Sequence, residues 1–208
     1  NPEADCYHLE KAGCHIVFAP GDKEMYPEKD TRTFDFGIMG TVMEGRFRPG
    51  HFNGVAQIVT KLFDAVRPDR AYFGKKDFQQ LAIIRKLVSD LHYPVEIVGC
   101  PIIREPDGLA MSSRNQLLSR EQLKAAPLIR QTLLEARDLA GSMKIPDIVL
   151  FVEKKINSDP ELRLEYFQFV ETSTLLQVDC IRPEIPVTAC IAVFAGKIRL
   201  IDNIDIIC

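Results

Sequence analysis

Between residues 55 and 99 the apolar residues change their period from helix to strand twice, and this constrains the fold more than any other feature. Val55, Ile58, Val59, Leu62, Phe63 and Val66 recur at spacings of three and four, the signature of an amphipathic helix, and Pro68 closes it. Residues 70–73 then read as a short strand. Residues 78–91 form a second helical pattern through Leu81, Ile84, Leu87 and Val88, and residues 95–99 read as another strand. Strands and helices that alternate across such short loops predict a parallel sheet with crossover helices, an α/β fold.

The flanks extend this picture. Residues 3–12 read as a helix, with Pro2 in its first turn and Gly13 at its stop. Residues 15–19 form an apolar run that predicts a buried strand, and short strands are expected at 33–36 and 40–43. After Pro101 the pattern changes. Helices are expected over 119–140 and 145–157, then β-rich runs over 162–171 and 175–181. A hairpin over 187–194 and 197–206 turns at Ala195 and Gly196. Pro101, Pro106 and Gly108 punctuate the change, so a boundary is expected there, with a parallel-sheet unit over 1–101 and a small α+β unit over 102–208.

With 26% charged residues and a formal net charge of −3, the chain has no basic field suited to nucleic acid or an anionic membrane. No apolar run approaches the roughly 18 residues that span a bilayer. The six cysteines, Cys6, Cys14, Cys100, Cys180, Cys190 and Cys208, form no C-x-x-C pair. Reduced thiols in a cytoplasm are the expected setting. The chain starts at Asn1 and enters helical pattern at once, which reads as a truncation inside a domain.

Three segments could carry chemistry. Gly74, Lys75, Lys76 and Asp77 sit where a parallel strand hands over to a helix, the usual ligand position of such sheets. Glycine permits close approach, lysine offers charge to phosphate, and aspartate can hold ribose hydroxyls or a metal. Gln80 projects on the same side of the helix as Asp77. A charged turn with Asp77 capping the helix explains the same residues. In the second segment, residues 107–115, Ser112, Ser113 and Arg114 follow Met111 on a glycine-containing loop, a donor-rich arrangement suited to phosphate. A simple helix cap is the competing explanation. The third, residues 44–51, places Arg46, Arg48 and His51 ahead of the long helix, as an anion contact, a subunit contact or a solvated loop. His8, His15 and His92 are assigned no role.

Taken together, R-P-G-H-F-N-G-V, R-P-D-R-A-Y-F-G-K-K-D-F-Q-Q-L and D-G-L-A-M-S-S-R-N, in this order over some 70 residues, resemble the pantothenate synthetase (pantoate–β-alanine ligase) family. The resemblance runs from the N-terminal helix to the closing hairpin. It implies a Rossmann-like domain of the nucleotidylyltransferase superfamily, incomplete at its N-terminus, followed by a small α+β domain carrying the M-S-S-R loop. ATP and Mg²⁺ are implied as co-substrate and cofactor, and pantoate and β-alanine as the other substrates. By position, Gly74, Lys75, Lys76 and Asp77 line the ATP site, with Lys76 on phosphate and Asp77 near ribose. Gln80 holds pantoate, and Ile103 meets adenine through its backbone. Met111, Ser112, Ser113 and Arg114 close over base and phosphates, and Lys76, Ser112, Ser113 and Arg114 carry the catalytic charge stabilisation. Asp5 falls where the family places acidic residues near magnesium. A homodimer is implied.

One departure stands out: the family's His-x-Gly-His element and a second pantoate-binding glutamine are absent, so about 80 to 90 family residues are expected before Asn1. The implied reaction passes through a pantoyl adenylate that β-alanine's amine then attacks, with no protein nucleophile. The 208-residue chain alone is expected to be inactive. Another nucleotidyl-transferring enzyme of the superfamily, differing at Gln80, and a non-catalytic binding remnant are the rival readings.

Overall fold

The computed structural model describes residues 2–206. Helix α1 (Pro2–Lys11) buries none of its residues, and the short α2 (Asp22–Met25) follows. Residues 15–19 do not form the expected strand. Ile16 is 83% exposed, and Val17 and Phe18 are exposed as well. A strand needs a neighbour to bond, and among the described residues none lies beside this run; the parallel sheet has only two strands. Nor do residues 33–36 and 40–43 make strands. They flank and enter a 3₁₀ turn at Gly37–Gly40, which leads to α3 (Glu44–Phe47).

The central α/β reading holds element by element. Helix α4 (His51–Val66) ends at Arg67 in the left-handed region, just before Pro68. It buries Phe52, Ala56, Val59, Thr60 and Phe63, so the core face is turned slightly from the expected one and Val66 is exposed. Strand β1 (Arg70–Gly74) pairs parallel with β2 (Glu96–Cys100), joined by α5 (Phe78–Leu91). A core of Phe52, Phe63, Ile83, Ile84 and Leu87 fills the space among α4, α5 and the two strands.

The second half has its own core. The expected 119–140 helix is two, α6 (Arg120–Ala125) and α7 (Leu128–Leu139), because Pro127 cannot donate to the preceding turn. Helices α7 and α8 (Ile145–Ile156) pack on an antiparallel sheet of order β3–β4–β5, with β3 Leu162–Glu171, β4 Val187–Ala195 and β5 Ile198–Ile206. Ile129, Leu133, Ile148, Phe169 and Ile191 are all but fully buried between them. Deleting such a side chain to alanine costs about 2–5 kcal/mol. The run at 175–181 is not a strand: Leu175 has φ +61°, and only Gln177 bridges back to Val170. Gly196, at φ +57°, makes the β4–β5 turn where sequence placed it.

Side chains tie the halves together. Met43 packs with Val170, Leu175 and Cys190. Beside them lies a largely buried ionic cluster. Arg199 on β5 donates to both carboxylate oxygens of Glu44 at 2.7 Å each and to Glu165 at 2.7 Å, and Tyr166 Oη donates to Glu44 at 2.8 Å. Gly45 is required beside Glu44, since a Cβ there would lie 2.1 Å from the Gly40 carbonyl oxygen.

Candidate active site

The carboxyl end of β1 delivers the Gly74–Asp77 turn. Lys75 N donates to Cys100 O at 2.8 Å, continuing the parallel ladder one step past the strands. Asp77 stands at the N-cap of α5 yet its carboxylate makes no capping bond and is exposed. The capping explanation for Asp77 therefore fails. Two glutamines follow with different fates. Gln79 is buried and satisfied, donating to Met39 O and Val42 O and accepting from Glu44 N. Gln80 is half-buried and lines a cavity with Arg48, His51, Lys76 and Asp77.

Arg48 Nη1 lies 3.0 Å from His51 Nε2. Arginine only donates, so Nε2 accepts and the imidazole proton sits on Nδ1. Burial, then the charge of Arg48, holds the His51 pKa below its ordinary value, so the ring is neutral at pH 7. The same cavity is walled by Glu44 and Tyr166. Burial raises the Glu44 pKa, but the hydrogen bonds and charge of Arg199, with Tyr166, outweigh it, and the carboxyl stays below its usual range. Burial pushes the Tyr166 hydroxyl far up, so it remains a donor.

The second loop is built by a tight hairpin. Arg104 bridges to Ala110, Gly108 takes φ +94° at the turn, and Met111 N donates to Ile103 O at 2.9 Å. Ile103 and Met111 are thus neighbours, 66% and 48% exposed. Ser112 caps a 3₁₀ helix (Ser113–Leu117), its Oγ accepting from Arg114 N at 3.3 Å. The capping explanation is correct for Ser112 and leaves its hydroxyl proton uncommitted. Ser113 is exposed, and Arg114 Nη1 donates to Arg199 O at 3.2 Å.

Lys76 and Ser112 line one small cavity, with Asn115, Arg199 and Asp202. This cavity meets the first at Lys76, Ile201 and Asp202, which line both. Both loops are pinned by the same stretch of β5. Asp202 accepts from Arg104 at 2.7 and 3.0 Å, and Asn203 Nδ2 donates to Lys75 O and Lys76 O at 2.9 and 3.0 Å. Asp202, Asn203, Arg199 and Tyr166 carried no local motif, and Glu44 opened the third segment without a role of its own. The polar residues of the final strand are the signal that could have found Arg199, Asp202 and Asn203.

Asp5 lies on the exposed α1 and lines neither cavity. Among the described residues no three His, Cys, Asp or Glu side chains converge as a metal site. Among them, too, no helix is long and apolar enough to cross a membrane. Cys208 lies outside the described residues.

Known proteins give the geometry its context. The model of the Pantoate-beta-alanine ligase family matches residues 1–205. The chain is 55% identical over 202 residues to the pantothenate synthetase of Bacteroides thetaiotaomicron, covering 97% of this chain and 72% of that protein. It is 51% identical to that of Porphyromonas gingivalis, with 98% and 72% covered. The crystal structure of pantothenate synthetase from Thermus thermophilus superposes with a TM-score of 0.93 at 42% identity, over all of this chain and 75% of that one. A pantoate-beta-alanine ligase from Francisella tularensis, complexed with beta-gamma ATP and beta-alanine, gives a TM-score of 0.77 at 28% identity over 99% and 70% of the two chains. Two cavities that meet at a lysine on a strand-to-helix turn, under a serine-rich loop, therefore occur in a chain that belongs to the pantoate–β-alanine ligase family.

Proposed function

We propose that the protein containing this chain condenses pantoate with β-alanine at the expense of ATP, releasing AMP and pyrophosphate through a pantoyl adenylate. The observation that carries this reading is Lys76 at the junction of two cavities, one bearing Gln80 and the Arg48–His51 pair, the other bearing Ser112. A carboxylate entering from one side and a nucleotide from the other would meet at that ammonium. In this reading Gln80 orients pantoate, and Arg48 with neutral His51 receives a substrate carboxylate. Asp77, exposed and uncapped, holds the ribose. Gly74 and Lys75 line the phosphates, Ile103 and Met111 flank the base, and Ser112, Ser113 and Arg114 donate to phosphate oxygens. The family-implied magnesium would travel on the phosphates, since Mg²⁺ is commonly bound through substrate phosphates and one or two carboxylates.

Positioning and fixed charge carry the chemistry. Pantoate's carboxylate oxygen attacks the α-phosphorus and pyrophosphate departs; the β-alanine amine then displaces AMP from the mixed anhydride. Lys76 stabilises charge that grows on the phosphates, a contribution of about 10²–10³ in rate for one well-placed donor. The reading includes a division into a nucleotide-binding unit over 1–101 and a loop-bearing unit over 102–208, a homodimer and a cytoplasmic setting. It also holds that the 208 residues alone do not complete both steps, since they span 72% of their curated relatives.

The test is pantoate-dependent exchange of pyrophosphate into ATP by the full-length protein. Lys76→Ala should slow exchange by at least about 10²-fold. A variant as fast as wild type would return Lys76 to the status of a solvated turn residue, and exchange independent of pantoate would favour another nucleotidyl transferase.

A further inference from the structure

Among the described residues one buried side-chain polar atom has no hydrogen-bond partner, Oδ1 of Asn115. The residue is 8% exposed, and the other end of its amide is satisfied, Nδ2 donating to Ala110 O at 3.1 Å. That bond fixes which end is which, because a reversed amide would set two carbonyl oxygens against each other. Asn115 lines the cavity between β5 and the Ser112 loop, so its unsatisfied oxygen is the acceptor this wall has to offer. A buried acceptor left unmade costs free energy, and a working site is expected to supply a donor.

The donors on that wall are few. Arg199 is committed to Glu44 and Glu165. Asp202 only accepts. The Ser112 hydroxyl, which caps the 3₁₀ helix and accepts from Arg114 N, keeps its proton, but it is a neutral donor and so the weaker competitor for this oxygen. The Lys76 ammonium, half-buried at the cavity's junction, makes no hydrogen bond or ion pair among the described residues. An unspent cation and an unspent oxygen thus share one small space.

We propose that Asn115 is a positioning residue for Lys76: its Oδ1 accepts from the ammonium, directly or across one water, and holds that charge where the two cavities meet. An amide oxygen suits this task because it orients a cation without neutralising it, whereas a carboxylate would compete with the phosphates for the charge. The proposal rests on the reading of Lys76 given above.

A double-mutant cycle on the full-length enzyme tests it, with pantoate-dependent pyrophosphate exchange and thermal unfolding measured on each variant. Asn115→Ala should slow exchange roughly 10- to 100-fold, as loosened positioning does, with the pantoate KM nearly unchanged. In a Lys76→Ala background the same change should cost less than about threefold, while the loss in Tm from the broken Ala110 bond stays the same in both. Equal rate losses in the two backgrounds, or no loss in either, would overturn the positioning role. A Lys76→Ala enzyme as fast as wild type would instead sink the phosphate role of Lys76 on which it depends. Should Asn115→Ala fail to fold, a crystal structure of the wild-type enzyme with ATP decides. Nζ of Lys76 should lie within about 3.2 Å of Asn115 Oδ1, or share one water with it across about 5.5 Å. A longer separation without a shared water overturns the proposal.

Discussion

Replacing Arg199 with methionine removes a guanidinium that serves two carboxylates at once. Glu44 receives both terminal nitrogens at 2.7 Å, and Glu165 receives Nε at 2.7 Å. All three side chains are largely shielded from water. Truncating one member of such a cluster leaves uncompensated buried charge and costs about 3–5 kcal/mol. For a chain of this size each kcal/mol moves Tm by about 2–4 °C, so a fall of roughly 6–20 °C is expected at pH 7. The pH dependence sharpens the test. In the wild type the Glu44 pKa lies below its ordinary value of 4.5, so its contribution is present above that pH and lost as pH falls through the folded value. In Arg199→Met burial, the largest influence on Glu44, is opposed only by the Tyr166 bond and the charge of Arg48, so the Glu44 pKa is expected to rise above the unfolded value. A group raised in this way favours folding below its unfolded pKa and loses that contribution as pH rises through the folded one. The gap between variant and wild type should therefore narrow on going from pH 7 to pH 5. Thermal unfolding followed by near-ultraviolet circular dichroism reads both quantities. A Tm within about 2 °C of wild type, or an equal gap at the two pH values, would refute the account of a charge-dominated cluster.

Other substitutions separate the parts of the site. Gln80→Ala should raise the pantoate KM more than the ATP KM in steady-state assays; equal effects would count against its place in the acid pocket. Gly45→Ala forces a Cβ to within 2.1 Å of the Gly40 carbonyl oxygen. It should cost about 3 kcal/mol or more, read by denaturant unfolding, because only backbone movement can relieve the clash. His51 has a folded pKa below its unfolded value of 6.5, so the fold resists its protonation and loses stability as pH drops below 6.5. His51→Gln should flatten the Tm profile between pH 6.5 and 5, and an unchanged profile would place the titration elsewhere.

What was legible in the sequence followed from local physics. The periods of α4, α5, β1 and β2 were readable because each element carries its own apolar face, and the parallel pairing followed from the loop lengths. The Gly196 turn and the Lys76 and Ser112 loops announced themselves by residue type. Residues 15–19 misled because an apolar run predicts burial only if a neighbour covers it, and here Ile16 to Phe18 stay exposed. Leu175 was unreadable for another reason, since nothing in its side chain forecasts a left-handed backbone. The adjacent glutamines show the limit most sharply. Gln79 and Gln80 both line the cavity one position apart, yet the 100° turn of the helix buries Gln79 in bonds to Met39, Val42 and Glu44 and leaves the Gln80 amide without a hydrogen bond among the described residues.

The polar end of β5 explains how two loops far apart in the chain keep a fixed spacing. A cleft formed by loops from separate parts of a chain has no reason to keep its spacing unless something rigid measures it. Strand β5 is held in register by β4 along its whole length, from Val187 opposite Ile206 to Ala195 opposite Ile198. Its consecutive residues Asp202 and Asn203 reach different targets, Arg104 at the root of the serine loop and the carbonyls of Lys75 and Lys76 in the lysine turn. Neighbours on a strand point to opposite faces, so their polar ends can diverge, yet their backbones are about 3.3–3.4 Å apart and cannot drift. Asp202 Oδ1 also accepts from the amide of Asn203 at 2.8 Å, coupling the two side chains directly. The lysine turn and the serine loop are thus referenced to one pair of peptide units. Catalysis by positioned charge depends on errors of less than an ångström, and in the proposed reaction a common reference of this kind would let the two loops meet that tolerance.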